Sequence, residues 1–251
     1  MSVELEQRPK TERELYHQIL SSAKLGKPNG RRDFQKDIRR YCELKGVSIV
    51  ASSAEKPDPS IPLIITPNHY SQRLYSKTSE AFKDVVVTSL ACYDQDLSKN
   101  HTAWFIKRLP IYPAGLGMLI RKVQNASVVT YGSIPVAVKN GSIANRDEMT
   151  EQYLDARQRG DNIGFFPEQK PTQVLQRYHP DYITFLRFLT HLYPQGYQIL
   201  PTAIFNKGKR THVNFGNIVR VNFNTDARDA ADQTLQIIAQ NLPSGLRGPW
   251  G

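Results

Sequence analysis

The chain has 251 residues, 39% hydrophobic and 22% charged, spread along its length, which suits a substantial core and excludes a disordered or low-complexity polypeptide. Two cysteines, Cys42 and Cys92, lack metal-type or redox-type spacing, so a disulfide-stapled scaffold is excluded and a reducing, cytoplasmic location is expected. The formal charge of +10 points to anionic partners, nucleic acid or phospholipid surface, with the basic residues in small clusters such as Arg39-Arg40 and Lys207 to Arg210 rather than in a tail.

The first ten residues carry no apolar run and read as neither secretory signal nor membrane anchor. Leu15, Ile19 and Leu20 predict a helix over 11–24, and Phe34, Ile38 and Tyr41 a second over 33–44, split by Gly26-Lys27-Pro28-Asn29-Gly30. Residues 47–51 read as a short strand, 52–60 as a proline-containing loop, and the β-branched run 61–66 as a buried central strand that stops at Pro67-Asn68-His69. Residues 79–90 form an element of mixed character around the strand-like Val85-Val86-Val87. Strands follow at 104–106, 134–138, 163–166, 199–205 and 213–221, separated by helical patterns at 116–123 and 148–159. Residues 182–192, if helical, are apolar on most of their circumference and belong in the core or against lipid. Leu235, Ile238 and Leu242 define a last helix over 227–242, ended by Pro243-Ser244-Gly245. No stretch reaches the roughly 20 apolar residues that cross a bilayer. The alternation of strands and helices indicates an α/β domain over 47–251, with an N-terminal helical segment over 1–46 packed on it.

In open α/β sheets ligands collect beyond the carboxyl ends of the strands, and two such ends carry polar residues directly after apolar runs. One is Ile65-Thr66-Pro67-Asn68-His69-Tyr70-Ser71, the other Ile163-Gly164-Phe165-Phe166-Pro167-Glu168-Gln169-Lys170. Histidine titrates near neutral pH, so His69 is either a general base for a hydroxyl or a turn histidine bonded to backbone. Glu168 is placed to accept a hydrogen bond from an acceptor hydroxyl or from a loop amide. His17, His101, His179, His191 and His212 have no partners at ligand-like spacing, so neither metal nor cofactor is expected.

Several of these blocks, in their order, resemble those of the lysophospholipid and glycerol-phosphate acyltransferase family. Asn68-His69 is similar to its first block, Phe105-Ile106-Lys107 with residues 113–117 to its second, Phe166-Pro167-Glu168 to its Phe-Pro-Glu-Gly-Thr-Arg block, and Ile199-Leu200-Pro201-Thr202 to its late proline-centred strand. The resemblance covers residues 47–222 and implies a mixed sheet flanked by helices. It also implies transfer of a fatty acyl group from acyl-CoA or acyl carrier protein, as a thioester substrate, to a lipid-like hydroxyl or amine. On this reading His69 is the base and Glu168 the second catalytic residue, while Asn68 and Ser71, which shape the loop, bind substrate together with Lys139, Lys170 and Thr172. Backbone amides near the later block would stabilise the oxyanion. An anionic membrane surface is the implied peripheral partner, on the inner face of a membrane.

The chain departs from the family pattern at two places. Leu74 stands where the family has the aspartate that orients the histidine, leaving Glu80, Asp84, Glu168 or a backbone carbonyl to hold the ring. Gln169, Lys170 and Pro171 replace Gly-Thr-Arg, and proline offers a phosphate nothing in place of a guanidinium fork. The alternative these departures motivate is a non-catalytic lipid- or protein-binding module of the same fold. Nucleic acid is not expected as a partner, since the sequence shows no zinc-finger spacing, RNA-recognition signature or helix-turn-helix.

Overall fold

A computed structural model describes residues 8–25, 33–52, 55–70, 78–97, 100–107, 122–123, 125–127, 130–136, 138–139, 142–143, 146–168 and 172–251. The chain opens with two helices, α1 (Glu12–Leu25) and α2 (Phe34–Lys45). Asp33 caps α2 by accepting the Lys36 amide, and Gly46, at φ +60° in the left-handed region, closes its far end. There follow β1 (Ser48–Ser52), β2 (Leu63–Pro67), α3 (Thr78–Asp94), β3 (Thr102–Lys107), β4 (Ile134–Val136), β5 (Val138–Lys139) and β6 (Ser142–Ile143). Then come α4 (Arg146–Gln158), β7 (Asn162–Gly164), α5 (Pro180–Leu192), β8 (Tyr197–Lys207), β9 (Arg210–Phe215), β10 (Val219–Val221) and α6 (Ala227–Gln240), with two short 3₁₀ turns at Ser244–Leu246 and Gly248–Trp250.

The main sheet is mixed. Its centre is the parallel run β8-β2-β7-β3-β4; β9 joins β8 antiparallel, and β1 lies parallel to β9 at the edge. Alternation along β2 assigns the two faces. Leu63 and Ile65, with Trp104, Leu200 and Ile204, pack against α1, α2 and α3, whereas Ile64, with Ala103, Ile163 and Ile199, packs against α4, α5 and α6. The result is an α/β fold of three layers with the sheet between its helices, and the N-terminal helix pair shares one apolar cluster with the sheet.

Three expected elements differ. Residues 79–90, with their strand-like valines, lie in α3, where every residue from Asp84 to Cys92 is buried; a helix covered all round loses the 3.6-residue signature, and its valines follow the tertiary context. The expected strand 213–221 is two. β9 pairs with β8 over 202–207 and β10 with β8 over 197–199, and the break falls opposite Pro201, which has no amide to donate and whose carbonyl accepts the Gly216 amide at 2.9 Å. The expected strand 134–138 divides into β4 and the start of the small β5-β6 ribbon. The expected helix 116–123 lies, but for its last two residues, outside the described residues. Residues 182–192 are helical in α5 and lay Tyr182, Ile183, Phe185, Leu186 and Leu189 onto the sheet, which is core packing. No helix among the described residues is long and apolar enough to cross a membrane.

β7 crosses β3 closely because Gly164 has no side chain: a Cβ there would lie 2.3 Å from the Trp104 indole. Gly164→Ala is expected to destabilise the fold by about 3 kcal/mol, through overpacking of a closed interior. Urea unfolding followed by circular dichroism measures it, and a loss below about 0.5 kcal/mol would show that Trp104 moves aside freely.

Candidate active site

β2 and β7 are parallel neighbours, so their carboxyl ends deliver the two polar loops to one place. The Asn68 amide donates to the Thr202 carbonyl at 3.1 Å, and the Asn68 side chain continues the pairing where the backbone has stopped: its Oδ1 accepts the Ile204 amide at 2.6 Å and its Nδ2 donates to the Ile204 carbonyl at 3.1 Å. This carboxamide therefore fixes the register of the loop against β8.

His69 follows, 7% exposed, and is held on several sides. Its ring Nδ1 is 2.7 Å from Oδ2 of Asp84 on α3, which also accepts the Tyr70 amide at 3.1 Å. Its backbone amide donates to Oε2 of Glu168 at 2.8 Å, and its carbonyl accepts the Thr172 amide at 2.9 Å. The imidazole stacks on Phe166 with centroids 4.3 Å apart, and Phe166 stacks on Trp104, whose Nε1 donates to Ser89 Oγ on the same α3. With Asp84 ionised, Nδ1 carries the ring proton and Nε2 presents a lone pair. Among the described residues Nε2 has no hydrogen-bond partner.

Glu168 has a different setting. Besides the His69 amide it accepts the Gln176 amide at 2.6 Å and the Thr172 hydroxyl at 3.3 Å, all inside the protein. Burial pushes its carboxyl up to about 7, against the lowering effect of the Gln176 and His69 amides and the Thr172 hydroxyl. Burial likewise raises the Asp84 carboxyl above its usual range, opposed by the hydrogen bond from His69. The segment that Glu168 grips is held from behind as well, since the Leu175 amide donates to the Leu246 carbonyl and Trp250 Nε1 to the Gln176 carbonyl.

Of the residues read from sequence, the structure brings together Asn68, His69, Asp84, Glu168 and Thr172. The Thr172 hydroxyl is turned inward, its one proton shared between the nearer Val174 carbonyl at 2.7 Å and Glu168 at 3.3 Å. Lys139 lies in the β5-β6 ribbon. Ser71, Leu74, Gln169, Lys170 and Pro171 lie outside the described residues, and with them the stretch that would carry an oxyanion site. Sequence reasoning missed the Phe166-Trp104 stack, whose signal was an aromatic within one strand and another just past the end of its neighbour, and the latch by the Gln176 amide, for which a backbone donor leaves no signal. No group of three metal-ligating side chains occurs among the described residues.

No family model and no curated protein matches the chain. Among solved structures, it is similar to the crystal structure of the 1-acyl-sn-glycerophosphate acyltransferase PlsC from Thermotoga maritima, with a TM-score of 0.46, 13% sequence identity, and 95% of this chain and 82% of that chain covered.

The Glu168 carboxyl makes stability depend on pH with a definite sign. Between its ordinary value of 4.5 and about 7 the folded protein holds a proton that the unfolded chain has released, so stability falls as pH rises through that window. The loss attributable to this group is on the order of 3 kcal/mol. Unfolding free energies of wild type and Glu168→Gln from pH 4.5 to 7.5 are expected to show the steeper decline in wild type, and equal slopes would mean that Glu168 titrates normally.

Proposed function

We propose that the chain is an acyltransferase, moving a fatty acyl group from acyl-CoA or acyl carrier protein to a hydroxyl or amine of a lipid-like acceptor, with His69 as general base. The observation that carries this reading is the buried His69–Asp84 pair, 2.7 Å apart, at the carboxyl end of a central parallel strand. A carboxylate on Nδ1 fixes the tautomer whose Nε2 can accept a proton, as losing the corresponding carboxylate of a serine-protease triad costs about 10⁴ in turnover. The resemblance in motif order supplies the reaction class.

In the proposed step Nε2 removes the proton from the acceptor as its oxygen or nitrogen attacks the thioester carbonyl. The tetrahedral intermediate collapses with cleavage of the carbon–sulfur bond, and the imidazolium returns the proton to the departing thiolate. Asp84 accepts from Nδ1 throughout and stabilises the transient imidazolium. Glu168 is a positioning residue on this reading, since its contacts are with loop donors. A phosphate-bearing acceptor is disfavoured by Pro171, so unphosphorylated alcohols and amines lead the panel of acceptors.

The test is transfer from radiolabelled long-chain acyl-CoA and acyl carrier protein to lysolipid, glycerol-phosphate, alcohol and amine acceptors. His69→Ala and Asp84→Asn are each expected to lower kcat by about 10²- to 10⁴-fold with KM little changed. No transfer by the folded wild type with any pair would replace this reading with the non-catalytic binding module.

A further inference from the structure

β8 outruns its neighbour. β2 pairs with β8 only as far as Thr202, and β8 continues to Lys207, about 16 Å further at the strand rise per residue. It turns through Gly208, at φ +61°, and returns as β9, with Lys207 and Arg210 paired across the turn. This hairpin therefore extends past the end of β2 on the side that carries His69, with β1 paired along β9 as far as Arg210. Its tip is cationic and convex: Lys207, Lys209 and Arg210 are all exposed, and among the described residues none meets a carboxylate. Several basic residues elsewhere are paired, Arg39 with Asp94, Arg40 with Glu43, Lys45 with Glu12, Lys56 with Asp96 and Arg220 with Glu55, so what sets the tip apart is three exposed cations within four residues at the His69 end of the sheet. The surrounding sequence has the same bias, with no Asp or Glu from Tyr182 to Thr225.

We propose that the tip formed by Lys207, Lys209 and Arg210 docks the protein on an anionic bilayer, with the His69 end of the sheet turned toward the lipid. The inference rests on the proposed function in that a membrane-borne acceptor needs the site presented to the bilayer. A convex turn suits an extended charged surface; a soluble phosphate compound would call for a walled recess. The hairpin also reaches the site's support, because Asn206 Oδ1 accepts both the Thr211 hydroxyl at 2.8 Å and Lys83 Nζ at 3.4 Å, and Lys83 is the neighbour of Asp84 on α3.

The experiment is vesicle flotation with phosphatidylcholine, with and without phosphatidylglycerol. It compares wild type, the hairpin triple variant Lys207→Gln, Lys209→Gln, Arg210→Gln, and a control triple variant Lys36→Gln, Arg187→Gln, Arg228→Gln of equal net charge. Wild type is expected to prefer the anionic vesicles and to dissociate as ionic strength rises from about 0.1 to about 1 M. The hairpin variant is expected to bind about 100-fold more weakly, at the worth of a Lys or Arg near such a surface, and the control within a few-fold of wild type. Equal losses in the two variants, or no preference for anionic lipid, would overturn the proposal. So would hairpin-dependent release by soluble coenzyme A, which would make the tip a soluble-phosphate site, or hairpin-dependent binding of duplex DNA without vesicle binding. Because flotation needs no turnover, His69→Ala should bind as wild type does. Vesicle binding without transfer would then remove the acyltransferase reading and leave the docking surface.

Discussion

A buried histidine can act as a base only when one ring nitrogen keeps its proton and the other keeps its lone pair, and here that division depends on the Asp84 carboxylate 2.7 Å from Nδ1. The rest of the site keeps this contact in place. Asn68 pins the loop to β8 through both polar groups of Ile204, Glu168 draws the His69 amide toward β7, and Phe166 lies flat on the ring. The grips come from β8 on one side of β2 and from the segment after β7 on the other, so displacing the ring requires disturbing both neighbours of its strand. Side chains locked by packing and by further hydrogen bonds are what a catalytic constellation needs if its geometry is to persist between turnovers.

That rigidity places three ionisable groups where water scarcely reaches, and burying a charge is costly unless partners replace its hydration. The site meets the cost in two ways. His69 and Asp84 answer one another, with the Tyr70 amide as an added donor. Glu168 has no cation among its partners and relies on two backbone amides and a hydroxyl, and burial accordingly outweighs them and moves its carboxyl to about 7. The anchor of the His69 amide thus keeps its proton to higher pH than an ordinary carboxyl, while the ring's own partner is a separate carboxylate. The two acids do unlike work because Asp84 faces the His69 ring, whereas the hydrogen-bond donors to Glu168 are neutral and the nearby Asp84 carboxylate only adds to the effect of burial.

Much of this was legible from residues. A β-branched run ending in Pro-Asn-His and a second ending in Phe-Pro-Glu identified the two loops, and parallel pairing of the strands before them makes them neighbours. The carboxylate that holds the ring could only be narrowed to candidates, because Asp84 reaches His69 from fifteen positions away on a helix whose valines imitate a strand. A signal was present: a single acid heading a run of nonpolar and hydroxyl residues is an expensive thing to bury without a partner. The division of the 213–221 run into β9 and β10 was not legible, since it arises from the absent amide of Pro201 on another strand.

The placement of Asp84 on a helix has consequences beyond holding a tautomer. In the motif pattern that the sequence resembles, the orienting aspartate follows five positions after the histidine, and in this sequence that position is Leu74. A carboxylate carried by α3 belongs to an element whose following turns are wholly buried against β1, β8 and β9, so its position is set by the core. The same helix presents Lys83 to Asn206 at the base of the cationic hairpin. The element that fixes the tautomer of His69 thus also braces the projection proposed to meet the bilayer. Anchoring the hairpin would restrain α3 one residue from the carboxylate, and the orientation of the protein on its surface and the orientation of the ring would be set by one helix.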